Sequence, residues 1–452
     1  MRDCSADCWT LQSLLKKSEN AVRDLSVLTQ KRRKASGADS LLRKLGPGLV
    51  TGASDDDPSG IATYSQVGAR FGYGMLWCML LSYPLIAAIQ EICARIGRVT
   101  GGGLAANLRR YYPKWILYSV LSLMSLANIF NLGADLGAMG AAASLLLPGD
   151  SRIYIVIFGV ASVLAELFIP YSKYAKYLKW LTLSLFAYVG TAFYVHVPWS
   201  EVVHAVVVPK VEITREYLTA LIAVLGTTIS PYLFFWQASQ EVEEVTCNPG
   251  EEALKQAPQQ ARSQLGRIRL DTYIGMALSN MVAFFIILTT AATLHAHGIH
   301  EISSSAQAAL ALKPLAGRYA FLLFVCGIVG TGLLAVPVLA GSAAYGIGEA
   351  RRWRVGLERK PKEAVRFYAA IGAATLVGSS LNFFGIDPIK ALFWAAVLNG
   401  LVAAPLMVVI MVMASSPNVM GKFTIPRYLR VVGWIATGVM VCVCLGVLAT
   451  WK

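Results

Sequence analysis

The sequence predicts an all-α, polytopic membrane protein of about eleven spans, two of them broken in mid-membrane. Three observations predict it. Hydrophobic residues make up 56% of the 452 positions and charged residues only 15%, against about 25% charged in a soluble domain. Apolar runs of roughly 20 residues, the length a helix needs to cross the hydrocarbon core, recur along the chain. The first and the sixth of these runs each carry small polar residues followed by a proline near their centre.

Residues 1–42 are polar and basic, ending in Lys31-Arg32-Arg33-Lys34, and read as a cytoplasmic tail. No apolar run follows the first charges, so no signal peptide is expected. Spans follow at 43–70, 72–96, 115–147, 153–170, 178–198, 217–240, 271–295, 318–348, 364–385, 389–413 and 428–451. Those at 115–147 and 318–348 exceed the bilayer core and are expected to tilt or project beyond it.

The net charge of +14 invites a nucleic-acid reading. The positions of the charges decide against it. With the N-terminus inside, the even connections should be cytoplasmic, and they carry the basic residues. These are Arg98, Arg109, Arg110 and Lys114, then Lys173, Lys176 and Lys179, then Lys255, Arg262, Arg267 and Arg269. Arg351, Arg352, Arg354, Arg359, Lys360 and Lys362 come next, then Lys422, Arg427 and Arg430. The opposite connections hold only Arg152, Lys210, Arg215, Lys313 and Lys390. This is the positive-inside pattern. It predicts a multi-pass protein of the cell (inner) membrane with the N-terminus cytoplasmic and the C-terminus outside. The bilayer is then its partner, and nucleic acid is not. The eight cysteines show no paired C-x-x-C spacing. Cys78, Cys93, Cys326, Cys442 and Cys444 lie in apolar runs, where cysteine behaves as a small hydrophobe. Cys4 and Cys8 fall on the tail, so neither a disulfide framework nor a zinc site is expected.

The first break, Thr51-Gly52-Ala53-Ser54-Asp55-Asp56-Asp57-Pro58-Ser59-Gly60, sets three carboxylates between apolar segments. An ionised Asp at the centre of a membrane helix costs about 2.5–3.5 kcal/mol. Proline then removes a backbone donor and breaks the helix. Unwound backbone at this depth is tolerated only where protein or a water-filled cavity satisfies it. The second break, Gly226-Thr227-Thr228-Ile229-Ser230-Pro231, repeats the arrangement five spans later. Paired interrupted helices in corresponding positions of two halves mark the central site of a transporter. Five spans per repeat is an odd number, so the halves must be inverted. The first repeat is taken as about 43–198, the second as about 217–413, with an extra helix at about 428–451.

Gly46-Pro47-Gly48-Leu49, Asp57-Pro58-Ser59-Gly60, Ala62-Thr63, Phe71-Gly72-Tyr73 and 94–101 (ARIGRVTG) resemble the opening of the Nramp divalent-metal transporters. The spacing from the first motif to the DPGN-like motif matches without gaps, and the resemblance covers 43–451. It implies a LeuT-type fold, a 5+5 inverted repeat with one extra helix, and a carrier rather than an enzyme. The family's metal ligands are an Asp and an Asn of the DPGN motif, and a carbonyl and a Met thioether of helix 6. Carried over, the Asp is Asp57, the Asn falls on Gly60, the carbonyl on Thr227 and the Met on Ser230. The helix 6 histidines fall on Tyr232 and Gln237. Asp135 matches a family carboxylate tied to proton transfer, while the glutamate three residues on is Ala138.

These departures have a chemical direction. Losing the thioether removes the soft ligand that favours transition metals over hard cations. Losing the Asn is expected to open space. A site of Asp57, carbonyls and Ser230, with Asp55 and Asp56 as secondary candidates, suits Mg²⁺, which keeps several waters around one or two carboxylates. The chain therefore resembles the Nramp-related magnesium branch, with Mn²⁺ also passing, and transport without proton coupling through alternating access is expected. The metal is cargo, and no cofactor is expected. The alternatives are a proton-coupled Mn²⁺/Fe²⁺ transporter, with Asp135 on the proton path, and a LeuT-type organic-solute (amino acid) carrier. Three acids at the break would repel a substrate carboxylate. Broken helices argue for a closed central site rather than a channel filter.

Glu91 and Glu166 are expected to pair with neighbouring basic residues. The 240–244 run (QEVEE) is expected as a solvated helix end or a cation-attracting vestibule, and Gly101-Gly102-Gly103 as a plain loop. Gly133-Ala134-Asp135 is faintly similar to intramembrane aspartyl proteases, but their second motif, Tyr-Asp, is missing, so an enzyme is not expected.

Overall fold

A computed structural model describes residues 51–52, 54–169, 183–248 and 250–450. The described residues all fall within one compact unit, Pro47–Lys452. The basic tail, the opening Gly46-Pro47-Gly48-Leu49 and the lysines at 173, 176 and 179 lie outside the described residues. Among the described residues the ordered elements are helical. The helices are α1 (Pro58–Phe71), α2 (Trp77–Thr100), α3 (Leu104–Tyr111), α4 (Lys114–Ala143), α5 (Ser151–Phe168), α6 (Phe186–Tyr194) and α7 (Trp199–Val207). They continue with α8 (Arg215–Thr228), α9 (Pro231–Cys247), α10 (Ala261–Thr293), α11 (Ala320–Arg351), α12 (Val365–Leu381), α13 (Pro388–Ser415) and α14 (Arg427–Thr450).

Nine helical segments among the described residues are long and apolar enough to cross a membrane. They match nine of the expected spans. The other two are described only in part: the first is α1 with the helical turn before it, and the fifth is the short apolar stretch Leu183–Tyr194. The third and eighth spans are long as expected, with 30 residues in α4 and 32 in α11. At about 1.5 Å per residue each outruns a hydrocarbon core of about 30 Å.

The sixth span sits at the centre, since 94% of its most apolar window is buried within the protein. The α5 and α14 windows are only 22% and 33% buried and present the rest of their apolar surface to lipid. Close approach at the centre depends on glycine. A Cβ on Gly226 of α8 would fall 2.2 Å from the Ala396 oxygen and 2.4 Å from the Gly400 nitrogen of α13. Small residues here let two membrane helices touch backbone to backbone.

The ends of the helices gather the charges on two faces. On one, Arg98 at the end of α2 pairs with Glu251 at 2.8 Å, and Arg109 of α3 donates to the Glu349 carbonyl at 2.7 Å. Arg267 of α10 pairs with Glu241 of α9 at 2.6 Å. Among the described residues, the connections after α2, α9 and α11 therefore meet on one face. On the other face Arg70 of α1 pairs with Glu216 of α8 at 2.6 Å.

The basic face corrects one expectation. The 240–244 run is not a freely solvated helix end, and Val242 and Glu243 line a cavity of about 210 Å³ with Tyr345 and Glu349. Glu241 is buried against Arg267, and Glu243 accepts from the Tyr345 hydroxyl and, at 2.7 Å, from the Glu358 amide. Charges buried this way persist because they are paired. Glu91 pairs with Arg95 at 2.7 Å as expected. Glu166 does not pair: it is buried, and neither oxygen finds a hydrogen-bond partner among the described residues. Gly101 ends α2 in the left-handed region at φ 68°, consistent with a loop.

Candidate metal centre

Both breaks follow from local chemistry. Pro58 and Pro231 each stand at the first position of a half-helix, where a missing N–H costs nothing. Asp57 caps α1: its backbone is extended, and its Oδ1 accepts from the Gly60 amide at 2.7 Å. In the sixth span α8 stops at Thr228, Ile229 and Ser230 leave helical geometry, and α9 begins. The Ser230 hydroxyl donates back to the Thr227 carbonyl at 2.7 Å or the Gly226 carbonyl at 3.0 Å. It thereby satisfies carbonyls that the broken helix leaves without an intrahelical donor.

The two breaks meet at Asp57. Its Oδ2 accepts from the Asn131 amide of α4 at 3.0 Å and lies 3.3 Å from the Tyr232 hydroxyl of α9. The same hydroxyl lies 3.2 Å from the Ser54 carbonyl, which ends the turn before the first break. From Gly60, an added Cβ would lie 3.1 Å from the Thr227 hydroxyl and 3.4 Å from Asp57 Oδ1, which puts α8 beside the carboxylate. Asp57, Asn131, Thr227, Ser230 and Tyr232 are all buried. Helix carbonyl ends carry partial negative charge. One such end, at Ser54, meets the Tyr232 hydroxyl that also approaches Asp57, and the other, at Thr227, is capped by Ser230. That combination suits a cation held by a single carboxylate, carbonyl and hydroxyl oxygens, and water. No group of three or more His, Cys, Asp or Glu placed to hold a metal occurs among the described residues.

The structure therefore brings Gly60 and Tyr232 to Asp57 and the Thr227 hydroxyl beside Gly60, while Ser230 turns back to the α8 carbonyls and the other candidates face elsewhere. Asp55 and Asp56 turn to α10, where the Ser279 hydroxyl reaches Asp55 at 2.7 Å and Asp56 at 3.1 Å. Asp55 and Asp56 thus share the Ser279 hydroxyl, while Asp57, already in extended backbone, turns to Gly60, Asn131 and Tyr232. Gln237, nearly two turns along α9, accepts from the Thr51 hydroxyl instead of facing Asp57. The expectation that Gly60 opens space is also corrected, because its missing side chain is filled by Thr227, Tyr64 and Asp57.

Asn131 is the residue that sequence reasoning missed. Its signal was present: a buried amide in an apolar helix, one turn before Asp135, and polar groups within membrane helices mark function. Its Oδ1 has no partner. Rotating the amide would turn that oxygen towards an ion at Asp57, restoring from α4 the kind of ligand that Gly60 lacks. Asp135 itself is buried, and neither of its oxygens closes a hydrogen bond among the described residues. At the next turn Ala138 lines a small apolar cavity with Ile61, Phe324 and Ile389.

The sequence model of the Nramp family, natural resistance-associated macrophage protein-like, matches residues 48–450. The chain belongs to the Nramp family. Over 419 residues this Nramp chain is 25% identical to the divalent metal cation transporter MntH of Klebsiella pneumoniae (strain 342), covering 88% of the chain and 92% of that relative. It is 25% identical over 409 residues to MntH of Yersinia enterocolitica, covering 87% and 91%. Among solved structures it is similar to the Eremococcus coleocola manganese transporter in complex with an aromatic bis-isothiourea substituted compound. That likeness has TM-score 0.71 and 17% identity, over 92% of this chain and 87% of the other. It is also similar to Mhp1, a nucleobase-cation-symport-1 family transporter, with TM-score 0.55 and 14% identity over 90% and 93% of the two chains. These likenesses concern the fold: this Nramp chain has the LeuT-type inverted-repeat architecture expected from its paired breaks.

Proposed function

We propose that the protein carries divalent metal cations, Mg²⁺ foremost and Mn²⁺ as well, across the cell membrane into the cytoplasm by alternating access. The basic face is cytoplasmic on this reading, by the positive-inside rule. The observation that carries the proposal is the convergence of both helix breaks on the Asp57 carboxylate, with Asn131, Thr227, Ser230 and Tyr232 around it. Family membership supports a divalent metal as cargo, since relatives along most of the chain are divalent metal cation transporters. The hydroxyls, carbonyls and amide oxygen around Asp57 favour a hard cation that keeps part of its water. An amino acid carrier is disfavoured by the carboxylate at the centre, which would repel the substrate's own.

Transport without proton coupling is the second part of the proposal. The described ion pairs lie towards the two faces, at Arg70–Glu216, Arg95–Glu91, Arg98–Glu251 and Arg267 with Glu241 and Glu244, and none includes Asp135. With Tyr232, Gln237 and Ala138 at the family's protonatable positions, the histidine and glutamate steps of that relay are missing. Nor is one needed energetically. A divalent ion gains about 4.6 kcal/mol per 100 mV of inside-negative potential, which supports an accumulation above roughly a thousandfold.

The test is a cation panel in proteoliposomes under a potassium/valinomycin clamp, with a pH dye trapped inside. Mg²⁺ and Mn²⁺ should enter along an imposed gradient without acidifying the lumen. Acidification that scales with metal uptake would return Asp135 to a proton role. The same assay examines Asn131. Asn131→Ala removes the amide oxygen that on this reading turns to the ion, a charge-assisted contact of about 1.5–3 kcal/mol. The half-saturating Mg²⁺ concentration should rise about 10- to 100-fold. An unchanged value would remove Asn131 from the site.

A further inference from the structure

All five histidines of the chain, at 196, 204, 295, 297 and 300, lie away from the metal centre, in or beside the connections between spans. Two of them meet the end of α1. His295 Nδ1 lies 2.7 Å from the Ala69 carbonyl oxygen, in the last turn of that half-helix. His300 Nδ1 lies 3.2 Å from His295 Nδ1, and the two rings stand 4.7 Å apart at 70°. A carbonyl only accepts, so the proton between Ala69 and His295 belongs to His295 Nδ1. His300 Nδ1 then turns its own lone pair towards that same N–H.

One proton thus holds together three atoms that each offer a lone pair to a metal: two imidazole nitrogens and a carbonyl oxygen. Their spacing fits a metal ion. Two imidazole nitrogens bound at about 2.0–2.1 Å to a tetrahedral ion stand roughly 3.3 Å apart, against 3.2 Å here. Gly72 makes the placement possible. At φ 57° it is in the left-handed region, and a Cβ there would press to 3.2 Å from His295 Cδ2 and Nε2. The Nε2 edge therefore packs on backbone, and the Nδ1 edge faces His300. His295 is half-buried and His300 exposed, so water can complete the coordination shell.

We propose that His295, His300 and the Ala69 carbonyl form a second metal site, for a borderline transition ion such as Zn²⁺, Ni²⁺ or Cu²⁺, and that its occupancy restrains the outer half of the first span. Binding shifts the His295 proton from Nδ1 to Nε2, so that the neutral ring offers its Nδ1 lone pair to the ion and no net proton is released. Imidazole selects these ions over Mg²⁺. The site is therefore chemically distinct from the oxygen-lined centre at Asp57. The link to movement comes from the bonds of α1. Besides Ala69 to His295, the Gln66 side chain accepts from the Ile302 amide at 2.9 Å, so the 295–302 segment grips this half-helix twice. A bound ion would turn the first of those grips into a pair of coordinate bonds. The restraint, unlike the binding, rests on the alternating-access reading above.

The experiment therefore has a binding arm independent of transport. Zn²⁺ binding to the purified full-length protein is measured by competition with a chromophoric chelator, in excess Mg²⁺ to occupy the centre. His300→Ala should weaken binding tenfold or more, and His300→Cys should restore it. His297→Ala should leave it unchanged, because His297 Nδ1 is taken by Thr293 of its own turn. Asp57→Asn should also leave it unchanged. In the transport arm, Zn²⁺ on the α1-end side should lower the maximal rate of Mg²⁺ uptake without raising the half-saturating concentration, and His300→Ala should relieve the inhibition. Zn²⁺ binding that survives His300→Ala and His295→Gln, or that falls only with Asp57→Asn, overturns the site. Normal binding with no effect on uptake keeps the site and overturns the restraint.

Discussion

Asp57→Asn is expected to reduce Mg²⁺ and Mn²⁺ uptake to the level of empty liposomes while the protein still folds. Asparagine is nearly isosteric and caps helices as well as aspartate, so the bond to the Gly60 amide at the start of α1 can be kept. The charge is lost, and with it the Oδ2 acceptor that Asn131 and Tyr232 share. Removing one partner of a buried charge interaction costs about 2–5 kcal/mol or more, which is roughly 30-fold to several thousandfold in affinity. Asp57→Ala should be equally inactive but less stable, because loss of a cap costs about 0.5–2 kcal/mol. The pair of variants separates charge from capping: both silent, with only Ala melting earlier in detergent. Near-normal uptake by a folded Asp57→Asn protein would move the ion away from the breaks. The carboxylates at Asp55 and Asp56 would then be tested next, despite their bonds to Ser279.

The architecture was legible because its causes are local and periodic. Apolar runs of spanning length, an asymmetric distribution of Arg and Lys, and two small-polar-Pro interruptions five spans apart do not depend on knowing which helices touch. The same locality accounts for Asp57, Thr227 and Ser230, which lie at or beside the prolines that break the helices. What was not legible depends on contacts across the sequence. Asn131 reaches Asp57 over 74 positions and Ser279 reaches Asp55 over 224, and neither spacing has a signature. The carboxylates at 55, 56 and 57 read as one cluster in the sequence, yet Ser279 holds the first two while Asn131 and Tyr232 hold the third. The 240–244 run read as solvated because nothing in the sequence says that Arg267 and Tyr345 come to meet it. Gly60 misled in a related way: a missing side chain implies space only if no neighbour fills it, and here Thr227 and Tyr64 do.

The selectivity of the centre should turn on Ser230, and the geometry fixes how this must be tested. The Ser230 hydroxyl donates to the carbonyls that end α8, so Ser230→Met changes two things at once: it adds a soft sulfur and frees the Thr227 and Gly226 oxygens. Ser230→Ala makes only the second change. The freed carbonyls are hard ligands, so Ser230→Ala should leave the preference for Mg²⁺ intact or slightly increased, at a cost of about 1 kcal/mol in stability. Ser230→Met should shift competitive uptake towards Cd²⁺ and Mn²⁺, because stripping water from Mg²⁺ costs more than a weak sulfur contact returns. A shift of about tenfold corresponds to about 1.4 kcal/mol. Gly60→Asn, which would restore the ligand lost from the family motif, should not add to it. Its Cβ would already press to 3.1 Å from the Thr227 hydroxyl, and the amide it offers is supplied by Asn131. Equal Mg²⁺/Cd²⁺ ratios in folded, active Ser230→Met and Ser230→Ala proteins would mean that position 230 only caps α8. The preference for a hard cation would then have to come from Asp57, Asn131 and the Thr227 oxygens alone.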